Sequence, residues 1–400
     1  KGDVHRAHRR LINPIFNLKV LKSFVFLFIF IRIVPLLTVY YKNVKRLLPV
    51  MQSTFDELEQ VVRSSNGATI DFHSLSVKAT LNVIGRTALD TDFDAFSNRD
   101  RVIHWAYARV MAAFSFDLFH TLWRGVPGFR YLPLPGNISL AKARSTIFGR
   151  VSDIMRAKMD GHGLHAAPAK ASDRPSLVAA LFDELSKNSE SATFTFEDVH
   201  NELLTFLAAG HETSSNLFSM ITYYLACHPE VQAKLLRELD GVDSEDYGQC
   251  TYLNQVLNEG LRMHSPVYAT NRTTKRDMTL PLSDGRSLQM PKDAMMFIPI
   301  QAIHRSTAIY GDDANTFRPE RWEKLRTLHP YQFFPFNSGP RSCIGRQFAL
   351  METRLLVASL VRAFQVEIPS DSLLANAEPE IKYGVTASPV ALPLRFVARS

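Results

Sequence analysis

Apolar residues recur at helical spacing along the first two-thirds of the chain. Over residues 72–89, Leu75, Val77, Leu81, Val83 and Ile84 form a helical apolar face. Residues 101–122, 140–158 and 176–185 follow a similar pattern, with breaks at Val126-Pro127-Gly128 and Pro133-Leu134-Pro135-Gly136. Residues 161–175, rich in Gly, His, Ala and Pro, read as a surface loop. A long apolar helix is expected over 196–228, opened by acidic residues after Thr195 and closed before Pro229. From 270 to 300 the pattern changes to Thr, Met and Leu broken by Pro and Gly, which predicts short strands. Helical spacing returns over 346–363. No internal repeat and no linker divides the chain. The expected class is mainly α: one large helical domain over 1–400 with a small β-rich region.

Residues 24–41 stand apart, with Arg32 as the sole charge and one proline, Pro35. Their length and apolarity lie at the lower edge of a transmembrane helix, and suit a buried helix equally. Composition narrows the class further. With 46% hydrophobic residues and 27 Phe in 400, the chain can fill a large interior and is not of disordered type. The net charge of +7 suits an acidic partner or an anionic surface, but no clustered basic–aromatic motif marks a nucleic-acid binder. Three cysteines, Cys227, Cys250 and Cys343, are too few and odd in number for a disulfide framework, and indicate a reducing compartment. The sequons at Asn137 and Asn271 would then go unused. Cys227 and Cys250 read as small buried hydrophobes.

Cys343 has different neighbours, in Phe336-Asn337-Ser338-Gly339-Pro340-Arg341-Ser342-Cys343-Ile344-Gly345. Gly339 and Gly345 permit a tight turn and close approach of backbone to a flat ligand. Arg341 supplies a cation that can pair with a ligand carboxylate and favours thiolate over thiol. A helix is expected to begin near Gly345, turning its positive end to the sulfur. Glu259 and Arg262 share one helical face at i, i+3, an ordinary surface pair when taken alone. In Ala209-Gly210-His211-Glu212-Thr213-Ser214, mid-helix Gly costs about 1 kcal/mol relative to Ala and asks for a reason. Small Ala209 and Gly210 would let a flat macrocycle and a diatomic ligand come close. A local widening of the helix there would free a carbonyl or admit a water. Glu212 and Thr213, side by side, then offer an acid and an alcohol for proton relay. The alternative is a plain acid at a helix surface. His211 is expected to pack or to face outward.

With every fixed position of FxxGxRxCxG filled, the Cys343 segment resembles the haem-binding loop of the cytochrome P-450 superfamily. Pro319-Glu320-Arg321-Trp322 is similar to its PER(F/W) segment, and residues 209–214 to its (A/G)Gx(D/E)T(T/S) pattern. The resemblance implies haem b (iron protoporphyrin IX) held through iron by Cys343, with no second protein ligand, and Phe336, Gly339, Arg341 and Gly345 around it. It implies that Glu259, Arg262 and Arg321 form a buried charged triad behind the loop, serving haem incorporation. Thr213 and Glu212 would deliver protons for O–O cleavage. His5 and Arg9, at i and i+4, would reach the haem carboxylates. Arg272 would do the same, or else be a solvated strand charge.

The implied activity is insertion of one O2-derived oxygen atom into an apolar small molecule, with electrons from NADPH through a flavoprotein reductase. The implied setting is the endoplasmic reticulum membrane, the catalytic domain facing the cytoplasm. The chain opens at Lys1 within a basic helical pattern, and we read it as lacking the family's N-terminal part, membrane anchor included. Residues 24–34 fit the family pattern poorly and are expected to be a gene-model insertion, which a native peptide crossing Phe24–Arg32 would disprove. Two other outcomes stay open: a haem-thiolate isomerase or dehydratase, and a truncated non-catalytic haem-binding fragment.

Overall fold

The computed structural model describes residues 47–97, 101–113, 119, 125–159, 195–282, 284–325 and 328–399. His5, Arg9, the run at 24–41 and the segments 161–175 and 176–185 lie outside the described residues.

Helix α1 (Leu48–Ser64) buries Met51, Phe55, Leu58 and Val62, a stripe at helical spacing. Each contributes roughly 2 kcal/mol of burial. Strand β1 (Ile70–Asp71) leads into α2 (Phe72–Ile84), whose first turn is capped by Asp71 accepting from the His73 amide. The helix expected over 72–89 changes character at its end: Gly85–Leu89 form a π turn that closes on Asp90 in the left-handed region. A Cβ at Gly85 would come within 2.6 Å of the Phe93 ring, so glycine lets the wider turn close on the following loop.

Helices α3 (Arg101–Ala112) and α4 (Pro135–Met159) pack on each other. In the first turn of α4, Asn137 is buried and its amide donates to the carbonyls of Phe129 and Leu132. That sequon is thus built into the start of the helix. The 32-residue α5 (Phe196–Cys227) is the central element. Thr195 and Asp198 form a capping box at its start, and Pro229 opens α6 (Pro229–Leu239) directly after it. Helix α2 packs against the middle of α5, whose C-terminal half buries Phe218, Ile221 and Leu225. Helix α7 (Thr251–Met263) crosses it through Gly260, where a Cβ would run into the Ile221 side chain.

The strands expected over 270–300 are two antiparallel pairs. β2 (Thr270–Thr273) pairs with β5 (Met295–Ile298), and β3 (Met278–Pro281) with β4 (Ser287–Met290). Short helices α8 (Ile300–His304), α9 (Thr307–Tyr310) and α10 (Arg321–Lys324) lead to the cysteine loop and to α11 (Arg346–Ala363), which lies across α1, α5 and α6. The chain closes with β6 (Phe364–Glu367), β7 (Ile381–Tyr383), β8 (Ala387–Pro389) and β9 (Pro393–Ala398). β9 sits between β1 and β6, tying the end of the chain to the start of α2, while β7 and β8 form a hairpin. The fold is mainly helical with small sheets, as expected. No helix among the described residues is long and apolar enough to cross a membrane.

Candidate functional site

The cysteine loop is shaped by its backbone. Asn337 and Gly339 both adopt positive φ, +62° and +73°, so glycine at 339 answers a conformational demand. The Cys343 amide donates to the Phe336 carbonyl at 2.8 Å, closing the loop on itself. Gly345 has an ordinary φ of −81° and stands just before α11. A Cβ there would meet only Cys343 Sγ, at 4.0 Å. The glycine therefore leaves room beside the sulfur, not a special turn. Cys343 is exposed, as is Cys227, whereas Cys250 is buried. The expectation of burial for Cys227 is thus corrected: it falls on the last residue of α5, where the helix end meets solvent.

Facing this loop across a cavity of about 570 Å³ is α5. Phe336, Arg341, Cys343 and Gly345 line one wall, and Ala209, Gly210, Thr213 and Leu217 the other. The volume falls in the range of cofactor and small-molecule sites. The donor set suits haem: a thiolate-capable sulfur, an adjacent cation for a carboxylate, open space beside Gly345, and an apolar opposite wall. Arg272, on β2, donates to Asn337 Oδ1 at 2.8 Å, so it braces the cysteine loop from the side. Among the described residues no cluster of His, Cys, Asp or Glu could hold a metal by itself.

Two expectations about α5 need correction. The helix is a regular α-helix throughout, with no widening at residues 209–214. Thr213 Oγ1 instead donates back to the Ala209 carbonyl at 2.8 Å, satisfying an extra lone pair without breaking the ladder. Gly210 lines the cavity and is also small for a neighbour on α2: a Cβ would stand 2.7 Å from Ile84 Cδ1. And Glu212 and Thr213, adjacent in sequence, open into different cavities. At about 100° per residue, consecutive side chains diverge around the helix. Glu212 lines a second space of about 320 Å³ with His73, Tyr107, Lys382 and Thr386, which Thr213 does not line.

There, Thr386 Oγ1 donates to Glu212 Oε1 at 2.6 Å. The Tyr107 hydroxyl donates to the Ala208 carbonyl at 2.7 Å and lies 3.4 Å from Glu212 Oε2. Burial raises the Glu212 pKa, against the opposing pull of the Thr386 and Tyr107 hydrogen bonds and the Lys382 charge. Tyr107 is raised well above the usual phenol range, by burial and then by the Glu212 charge. His211 packs, buried, with its ring edge-on to Tyr107 at 3.9 Å between centroids.

Behind the cysteine loop, Glu259, Arg262 and Arg321 are brought together and buried. Arg262 grips Glu259 with two parallel bonds, Nε to Oε2 at 2.9 Å and Nη2 to Oε1 at 2.8 Å. Its Nη1 donates to the His304 carbonyl at 2.9 Å and to that of Ala314. Arg321 Nε reaches Glu259 Oε1 at 2.8 Å, and Trp322 Nε1 reaches Oε2 at 3.0 Å. Burial works against the Arg321 cation, but the Glu259 and Asp313 carboxylates outweigh it and raise its pKa. Sequence reasoning missed Tyr107, Thr386 and Asn337 as partners. They lie 105, 174 and 65 residues from the groups they serve, and no local spacing announces them. The Trp322 contact had a signal, since Trp322 follows Arg321 within the motif.

Comparison with known proteins places these features. The family described as "Cytochrome P450" matches residues 32–392. "Cytochrome P450 monooxygenase 205" of Postia placenta is 30% identical over 94% of the chain and 72% of its own length. "Cytochrome P450 734A6" of Oryza sativa subsp. japonica is 28% identical over 92% of the chain, which spans 65% of that protein. "Ganoderic acid synthetase CYP5150L8" of Ganoderma lucidum is 26% identical, with 94% and 73% covered.

Proposed function

Because the chain belongs to the cytochrome P450 family, whose members are haem-thiolate monooxygenases in general, we propose that it inserts one O2-derived oxygen atom into an apolar small molecule. The observation that carries this reading is the cavity with Cys343 on one wall and Ala209, Gly210 and Thr213 on the other. Haem, when bound, supplies the redox chemistry at which O2 is reduced and split. Cys343 would hold the iron as thiolate, while Arg341, and Arg272 through its place beside the loop, face the haem carboxylates. The apolar wall of α5 excludes water and orients substrate. Thr213 lines the cavity and presents a hydroxyl that can hold a proton. Glu212 collects protons on another face of α5, where burial raises its pKa. Proton transfer from Glu212 to Thr213 therefore passes around the helix, by side-chain rotation or through water.

Electrons come, in this reading, from an NADPH-dependent flavoprotein reductase that docks near exposed Arg341 and Arg346 on the cysteine side. Turnover unchanged by high salt would contradict that docking. The setting proposed is the endoplasmic reticulum membrane, with the domain facing the cytoplasm. Retained Thr213 and Glu212 weigh against an isomerase or dehydratase, which can dispense with proton delivery. The test is the absorption spectrum of the reduced, CO-bound protein. A red-shifted Soret band is expected, and Cys343→Ala should abolish it. A band that persists in that variant overturns the ligand, and no band in the parent protein indicates a non-catalytic fragment.

A further inference from the structure

The segment entering the cysteine loop is held by a histidine that none of the motifs includes. His304, at the end of α8, has no exposed surface. Its Nε2 receives the Phe334 amide proton at 3.1 Å. Its Nδ1 lies 3.0 Å from Ser265 Oγ, which donates its own proton to the Leu261 carbonyl at 2.7 Å. With the hydroxyl proton committed, Nδ1 must donate and Nε2 must accept, so one neutral tautomer is selected. The His304 carbonyl in turn accepts from Arg262 Nη1 at 2.9 Å. Phe334 continues the link: its carbonyl accepts from the Asn337 amide at 2.9 Å, and two residues on, Phe336 accepts from the Cys343 amide.

We propose that His304 is a positioning residue for the thiolate loop, its Nε2 fixing the Phe334 backbone and so coupling the Glu259–Arg262 pair to Cys343. The environment keeps the ring in the required form, because burial, then the nearby Arg262 cation, lower its pKa to about 3. Without that acceptor, the Phe334 amide would be a buried donor with no partner, at the point where the loop leaves the core. The Tyr310 hydroxyl, which donates to the Gln332 carbonyl at 2.8 Å, holds the same strand of chain one step earlier. It cannot replace a bond to residue 334. The inference rests on Cys343 as the iron's ligand.

Two variants separate positioning from simple packing. In His304→Gln the side-chain oxygen can stand where Nε2 stood and still accept from Phe334. In His304→Asn the shorter side chain reaches only toward Ser265. Both lose the ring, so a packing role predicts similar damage. The holoprotein is reduced under CO, and amide exchange is followed at Phe334. His304→Gln should keep the red-shifted Soret band and slow Phe334 exchange. His304→Asn should lose much of that band and exchange Phe334 roughly ten- to hundredfold faster. Equal loss in both variants, no loss in either, or greater loss in His304→Gln overturns the proposal. The parent protein reports separately on the ligand: without a red-shifted band in it, the Cys343 reading fails before the variants are compared.

Discussion

Replacing Glu352 by glutamine should change how the stability of the fold depends on pH. Glu352 sits on α11 with 1% of its surface exposed, and Oε2 meets no hydrogen-bond partner among the described residues. Burial raises its pKa from the usual 4.5 to about 8, only partly opposed by a hydrogen bond from Ser214 on α5. The folded protein therefore keeps the proton between pH 4.5 and 8, where the unfolded chain gives it up. Stability from this group is full below 4.5 and is lost as pH rises toward 8, by about 1.4 kcal/mol per unit. Across the whole window the loss is about 5 kcal/mol, and between pH 5 and 7.5 about 3 kcal/mol. The amide of the Glu352→Gln variant has no such proton to lose, so the variant gains on the parent by that amount over the same range. Urea unfolding of both holoproteins at pH 5, 6, 7 and 7.5 measures it. If the difference in stability stays constant across the four pH values, Glu352 is not a buried neutral acid and the argument fails.

Other outcomes follow from the same geometry. Arg321→Met leaves Glu259 with one of its two cations, and should cost about 3–5 kcal/mol of unfolding free energy and most of the retained haem. Arg321→Lys should recover little, because one ammonium cannot serve Glu259, Asp313 and the carbonyls of Tyr310 and Thr316 together. Gly210→Ala should destabilise by about 1–3 kcal/mol through overpacking on Ile84, and the double variant with Ile84→Ala should regain part of it, measured by thermal unfolding. Thr386→Val removes a hydrogen bond that holds the Glu212 pKa down, so the Glu212-controlled limb of the kcat–pH profile should move to higher pH.

Much of this fold could be read from local patterns. The helix at 346–363 has its expected bounds, and that at 196–228, marked by Thr195 at its start and Pro229 beyond its end, finishes one residue earlier. Helix α1 was not predicted, although its apolar stripe of Met51, Phe55, Leu58 and Val62 is regular. The coming together of Glu259, Arg262 and Arg321 was legible only through motif resemblance, as spacing alone suggests a surface pair. What could not be read was direction. Sequence proximity made Glu212 and Thr213 look like one device, and the second demand on Gly210, from a neighbouring helix, left no local mark. Helical rotation separates the first pair, and the Ile84 side chain from α2 stands against Gly210. Both depend on which tertiary neighbour covers each face of α5, and no local pattern encodes that.

The regular course of α5 makes it a wall between two chambers. Substitutions at Thr205, Ala209 or Leu217 alter the reacting chamber. Those at His73, Tyr107 or Thr386 alter the acid's chamber without touching it. On the function proposed above, the residues that shape the substrate space and those that set the acid's surroundings are then separate sets, and one can change while the other is held.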